Sequence, residues 1–185
     1  TDVRGPHTAA GAASRARQVL HWRNMDYLAS SPELRIVLLG PPGSGKGTQG
    51  TRIATALGIP TVSTGDLLRR AMADGTPLGR RVEAIVSSGG LVDDETMLDL
   101  VRTRLAEPDA RRGFVLDGHP RTLPQAQDLD ALLAADGRTV DAVVSIDVPE
   151  ATLVTRLAGR GRSDDRPEVI RERLRLYREA TAPLV

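Results

Sequence analysis

From Leu34 to Val185, short apolar runs alternate with longer stretches whose apolar residues recur every three or four positions. Arg35–Leu39, Pro60–Ser63, Gly113–Asp117 and Val140–Val148 are brief runs bounded by Gly, Pro or polar residues, the pattern of buried strands. Helical periodicity follows the first run as far as Leu57. It returns from Thr64 to about Ser88, with breaks near Gly75 and Pro77, and again over Asp93–Leu105, Gln125–Ala135, Glu150–Leu157 and Glu168–Ala180. Gly159–Pro167 is a short polar loop. Strand–helix alternation of this kind predicts an α/β fold, a parallel sheet flanked by helices. There is no internal repeat.

Residues 1–32 stand apart from this rhythm. They are rich in Ala, Gly and Arg, and up to Met25 their only acid is Asp2. An Arg-rich, acid-poor start is compatible with a transit peptide; a disordered leader is the preferred reading. The remainder, 33–185, is one domain's worth of chain within a total of 185 residues.

Composition narrows the chemistry. The chain has no cysteine, which removes disulfides and thiolate metal sites. A net charge of +1 offers no electrostatic reason for a nucleic-acid or membrane partner, and no apolar run approaches a membrane span. The four aromatics are Trp22, Tyr27, Phe114 and Tyr177, so the core must be aliphatic. Lys46 is the single lysine among 25 basic residues.

That lysine sits in Gly40-Pro-Pro-Gly-Ser-Gly-Lys46, a G-x-x-x-x-G-K stretch between a strand and a helix. Glycines at 40, 43, 45 and 47 allow successive backbone N–H groups to point inward, and the following helix start adds partial positive charge. The pattern is that of a loop binding di- and triphosphates, with Gly43, Ser44, Gly45, Lys46, Gly47 and Thr48 as the contacts, and by itself it serves a GTPase, an ATPase or a small-molecule kinase. Where such loops usually place a metal-binding hydroxyl directly after the lysine, this chain has Gly47, with Thr48 one residue on. Mg2+ is therefore expected to be held indirectly, through water, by Asp117 first and Asp66 second. A guanine-reading Asn-Lys-x-Asp stretch is excluded, because the only asparagine is Asn24.

Four motifs in order resemble the adenylate kinase family: Gly40–Gln49 (GPPGSGKGTQ), Ser63–Arg69 (STGDLLR), Asp117–Thr122 (DGHPRT) with Gln125, and Thr181–Leu184 (TAPL). The resemblance, to the short-lid bacterial form, runs from about Leu34 to Val185. It implies a P-loop kinase fold with an AMP-binding helical insertion at 63–92 and a short lid at 159–169. It also implies the reaction ATP + AMP ⇌ 2 ADP with Mg2+, in a cytoplasmic monomer.

By resemblance, Lys46, Arg121, Arg160, Arg162 and Arg173 are the catalytic cations, Arg160 and Arg162 close over ATP and the transferring phosphoryl group, and Arg156 lies against the ATP adenine. Arg69, Arg121, Arg162 and Arg173 would serve the AMP phosphate, while Thr64 and Gln125 read its adenine. Gly90, Leu91 and Val92, with the backbone of Gly118, His119 and Pro120, would line the same pocket. Thr64 favours AMP over pyrimidine monophosphates, whose kinases usually carry alanine there. Arg171, Arg175 and Arg178 are spaced with Glu168, Glu172 and Glu179 as a solvated helix face and receive no role.

Two departures qualify the resemblance. His119 stands where the family has phenylalanine; a packing substitution with a polar edge is the preferred reading, and pH dependence near neutrality the other. The family continues past TAPL with a strand and a helix, and this sequence ends at Val185. Lower stability and weaker ATP binding than a longer homologue are expected, with a nucleotide-binding module of reduced or no turnover as the alternative function.

Overall fold

The computed structural model describes residues 33–162 and 165–185, so the reading of 1–32 as a leader lies outside the described residues. Four strands form a parallel sheet: β1 (Leu34–Leu39), β2 (Thr61–Ser63), β3 (Gly113–Asp117) and β4 (Ala142–Ser145), in the order β2-β3-β1-β4. Among the described residues, seven α-helices connect or follow them: α1 (Lys46–Leu57), α2 (Thr64–Ala73), α3 (Pro77–Ser88), α4 (Asp94–Leu105), α5 (Leu123–Ala135), α6 (Glu150–Ala158) and α7 (Pro167–Leu176). None of the described helices is long and apolar enough to cross a membrane.

Because side chains alternate across a strand, consecutive apolar residues load both faces of the sheet. Val37, Leu39, Phe114 and Leu116 point to one face and meet Val101 and Leu105 of α4 and Leu129 and Leu133 of α5. Ile36, Leu38 and Val115 point to the other, against Ala54, Ile53 and Leu57 of α1. Phe114, the chain's one phenylalanine, is fully buried. The sheet is thus sandwiched, as the continuous apolar runs require.

Two smaller cores hang from this frame. Leu68 of α2, Val82 of α3, Val92 in the loop before α4 and Met97 of α4 pack together. Leu153 and Leu157 of α6 meet Ile170 and Leu174 of α7. The helical stretch 64–88 breaks where the sequence indicates, at Gly75 (φ 61°), after which the Thr76 hydroxyl accepts the Gly79 N–H at 3.0 Å and Pro77 opens α3.

Some boundaries differ from the sequence expectation. β4 is four residues long rather than Val140–Val148. Asp141, just before it, is held to β1 twice: its N–H donates to the Arg35 carbonyl at 2.9 Å, and its carboxylate accepts the Arg35 N–H at 2.8 Å. The final helix ends at Leu176 instead of Ala180, passing into a wider turn over Tyr177–Thr181 and a tight one over Ala182–Leu184. The Thr181 hydroxyl is tied to the Arg121 carbonyl at 2.9 Å, and Pro183 has no N–H to continue a helix. A short 3-10 turn, Pro108–Arg112, also precedes β3.

Candidate active site

The carboxyl ends of β1 and β3 lie side by side, with Leu38 in register with Asp117. Open α/β sheets place ligands beyond this end of their strands. Here the chain leaves β1 through the Gly40–Lys46 loop, and α1 begins at Lys46. Gly45 caps α1 in the left-handed region (φ 97°), a conformation costly for residues with a Cβ. The first-turn N–H groups of α1 consequently face the loop without an acidic side chain among them.

A cleft of about 770 Å³ opens over this loop. Its walls include Gly43–Thr48, Asp66, Arg69, Leu91, Asp117, Gly118, Pro120 and Arg121, then Arg156, Arg160, Arg162 and Arg173. All five cations named as catalytic by resemblance are thus brought together, although Lys46 and Arg173 are 127 positions apart in the sequence. Gly90, Val92, Thr64, His119 and Gln125 do not line the cleft; Gly89 and Leu91 do. Val92 belongs to the insertion's core, and Thr64, His119 and Gln125 are buried behind the wall.

The Lys46 ammonium donates to the carbonyl oxygens of Gly40 at 2.7 Å and Pro41 at 2.9 Å, which holds it across the loop. Burial lowers its pKa from 10.5 to about 8; the Asp117 carboxylate opposes this, and Arg121, Arg173 and Arg160 add to it. Burial also raises Asp117 above the usual carboxylate range, against the pull of Lys46 and Arg121. Arg121 is held below the usual arginine value by desolvation, with Asp117 opposing. Its Nε donates to the Gly118 carbonyl at 2.8 Å, and Thr181 fixes its own carbonyl. The TAPL threonine therefore positions a site residue from the far end of the chain.

Asp66 pairs with Arg69. Burial pushes Asp66 up, but the Arg69 hydrogen bond and charge outweigh it and leave the carboxyl below its ordinary range. Asp165 was not singled out from the sequence, yet it organises the loop after α6. Its carboxylate accepts from Arg160 Nε at 3.0 Å and from the Arg162 N–H at 2.9 Å, and lies 3.9 Å from Arg173 Nη1. Burial raises Asp165, and these donors more than reverse it. An acid among Arg160, Arg162 and Arg166 was the only sequence signal for this role.

Asp94 is the second omission. It accepts from Gln125 Nε2 at 2.7 Å and from the Thr122 hydroxyl at 3.3 Å, while Gln125 Oε1 accepts the Arg121 N–H at 2.8 Å. His119 is fully buried beside this network, joined to Pro120 by a cis peptide bond. Burial and Arg121 lower its pKa to about 4, against the influence of Asp94 and Gln125. That corrects the expectation of titration near neutrality: the imidazole is neutral there, and a packing role fits.

Arg171, Arg175 and Arg178 are exposed; Arg175 pairs with Glu172 and Glu179, and Arg178 with Glu150. None of the three lines the cleft.

For a metal, the described residues contain no cluster of three or more His, Cys, Asp or Glu side chains. The cleft offers Asp117 and Asp66 instead. A methyl group placed on Gly47 would lie 3.7 Å from Asp117 Oδ2, so the carboxylate sits where the loop lacks a hydroxyl. One or two carboxylates with phosphates and water are the donor set Mg2+ prefers, and the residues fit it.

Comparison with known proteins agrees with this geometry. The adenylate kinase family model matches residues 38–185. An adenylate kinase of Stenotrophomonas maltophilia (strain K279a) is 50% identical over 156 residues, covering 82% of this chain and 83% of its own. One of Methylobacterium radiotolerans is 51% identical over 161 residues, covering 82% and 80%. One of Xanthomonas euvesicatoria pv. vesicatoria is 49% identical over 156 residues, covering 82% and 83%. With its phosphate loop, its converging arginines and these relatives, the chain belongs to the adenylate kinase family of ATP:AMP phosphotransferases.

Proposed function

We propose that this chain transfers the terminal phosphoryl group of ATP to AMP, giving two ADP, and so balances adenine nucleotides as a cytoplasmic monomer. The observation that carries the reading is the convergence of Lys46, Arg121, Arg160, Arg162 and Arg173 on one cleft at the carboxyl end of the sheet. Transfer from a triphosphate to a monophosphate is limited by charge crowding and alignment, which such cations relieve.

In this account the Gly43–Thr48 backbone holds the ATP β- and γ-phosphates, and Lys46 leaves the Gly40 and Pro41 carbonyls to bridge them. Arg156 stacks near the ATP adenine. Arg69 and Arg121 grip the AMP phosphate, and Thr64 and Gln125 meet its base. Arg160, Arg162 and Arg173, gathered by Asp165, close over the transferring group. Residues 63–92 act as the AMP-binding insertion and 159–169 as a short lid. Mg2+ bound with ATP would neutralise phosphate charge, held through water by Asp117 and secondarily Asp66.

No general base is needed, because the attacking AMP phosphate oxygen is already anionic at neutral pH. Among the described residues the only histidine is His119, buried outside the cleft.

Incubation with Mg-ATP and each nucleoside monophosphate tests the reading. Diphosphate formation preferring AMP supports it; preference for CMP or UMP, or nucleotide binding without turnover, overturns it.

A further inference from the structure

Asp94 is the first residue of α4, yet its carboxylate is engaged by the start of α5. Gln125 Nε2 donates to Asp94 Oδ1 at 2.7 Å. The Thr122 hydroxyl donates to the same oxygen at 3.3 Å and accepts the Gln125 backbone N–H at 3.3 Å, which anchors the acid beside the amide. At the other atom of the amide, Gln125 Oε1 accepts the Arg121 N–H at 2.8 Å. Gln125 is 2% exposed, so water does not stand in for a lost partner.

We propose that Asp94 is a positioning residue that sets base specificity at the monophosphate site, by fixing which way round the Gln125 amide points. The inference rests on the phosphotransfer reading above, in which Gln125 meets the base. A carboxylate only accepts and a backbone N–H only donates. Turning the amide over would therefore set acceptor against acceptor at Asp94 and donor against donor at Arg121. A glutamine amide has two N–H donors and two carbonyl lone pairs. The two bonds leave one of each, in a fixed order.

That order distinguishes purines. Adenine presents its 6-amino donor beside the N1 acceptor, and so pairs with a carbonyl oxygen beside an N–H. Hypoxanthine presents a 6-oxo acceptor beside an N1–H donor, which is the same pair exchanged. An amide free to turn over serves both bases; a locked one serves a single base, and in an AMP site that base is adenine. The lock has two halves. The Arg121 half is backbone, so Asp94 is the half that a substitution removes. Asparagine at this position keeps the size of the side chain but presents either a carbonyl or an amino group, and so partners Gln125 in both senses.

The test compares kcat/KM for AMP and for IMP at saturating Mg-ATP in the full chain, in Asp94→Asn and in Asp93→Asn. The AMP-over-IMP ratio should fall about fivefold to tenfold in Asp94→Asn, through a higher kcat/KM for IMP, with KM for Mg-ATP unchanged. Asp93→Asn is the control for charge and helix stability. Asp93 caps its own helix, accepting the Thr96 N–H at 2.8 Å, and its variant should keep the parent ratio. A purely structural Asp94 would lower the melting temperature and reduce both substrates by the same factor. That result overturns the proposal, as does a ratio in Asp94→Asn within about twofold of the parent or an equal fall in Asp93→Asn. Failure of the parent chain to phosphorylate AMP would instead remove the phosphotransfer reading.

Discussion

Replacing Lys46 by methionine should separate what this residue does for folding from what it does for catalysis. The side chain keeps its length and loses its charge. In the folded chain the ammonium's pKa falls from 10.5 to about 8 because of burial. At neutral pH this corresponds to on the order of 3 kcal/mol by which keeping Lys46 charged opposes folding. Since the folded pKa lies below the unfolded one, the unfolded chain binds more protons between pH 8 and 10.5. The Lys46 contribution to stability therefore rises with pH across that window. The ammonium's two bonds, to Gly40 O at 2.7 Å and Pro41 O at 2.9 Å, act the other way. Charged hydrogen bonds contribute about 1.5–3 kcal/mol each, so the net effect of Lys46→Met on stability should be small. Its effect on phosphotransfer should be large, about 10²–10³ in kcat, the usual cost of losing a preorganised charge at developing charge. Chemical denaturation at pH 7 and 10, with steady-state turnover, measures both. A large loss of stability with turnover reduced less than about tenfold would refute the reasoning.

Other outcomes follow from the same geometry. Lys46→Arg should keep the fold and lose most turnover, because a planar guanidinium cannot take the ammonium's place between the loop carbonyls and phosphate oxygens; circular dichroism and kcat check this. Asp117→Asn should raise the Mg2+ concentration needed for half-maximal rate several-fold, whereas Asp66→Asn should do so less, its carboxylate being held by Arg69; a Mg2+ titration decides. Gly79→Ala should lower the melting temperature by several degrees, since its methyl would stand 2.0 Å from the Ala71 carbonyl oxygen where α2 and α3 meet.

Much of the fold was legible because strands buried on both faces read as unbroken apolar runs, as in Gly113–Asp117. The phosphate loop was legible because its chemistry is local: glycines, one lysine and a helix start within seven positions. The supporting residues were not. Asp94 and Thr181 act through partners reached only in three dimensions, Asp94 across 31 positions to Gln125 and Thr181 across 60 to Arg121. His119 was visible as an odd residue, but its neutrality comes from burial that no local pattern encodes.

The central claim is phosphoryl transfer between two adenine nucleotides. Phosphorus NMR of the full chain mixed with Mg-ATP and AMP observes it directly. The account predicts loss of the ATP γ-phosphate and AMP signals together, with two ADP formed for each AMP consumed and no inorganic phosphate. Unchanged spectra, or inorganic phosphate in place of the second ADP, would contradict it.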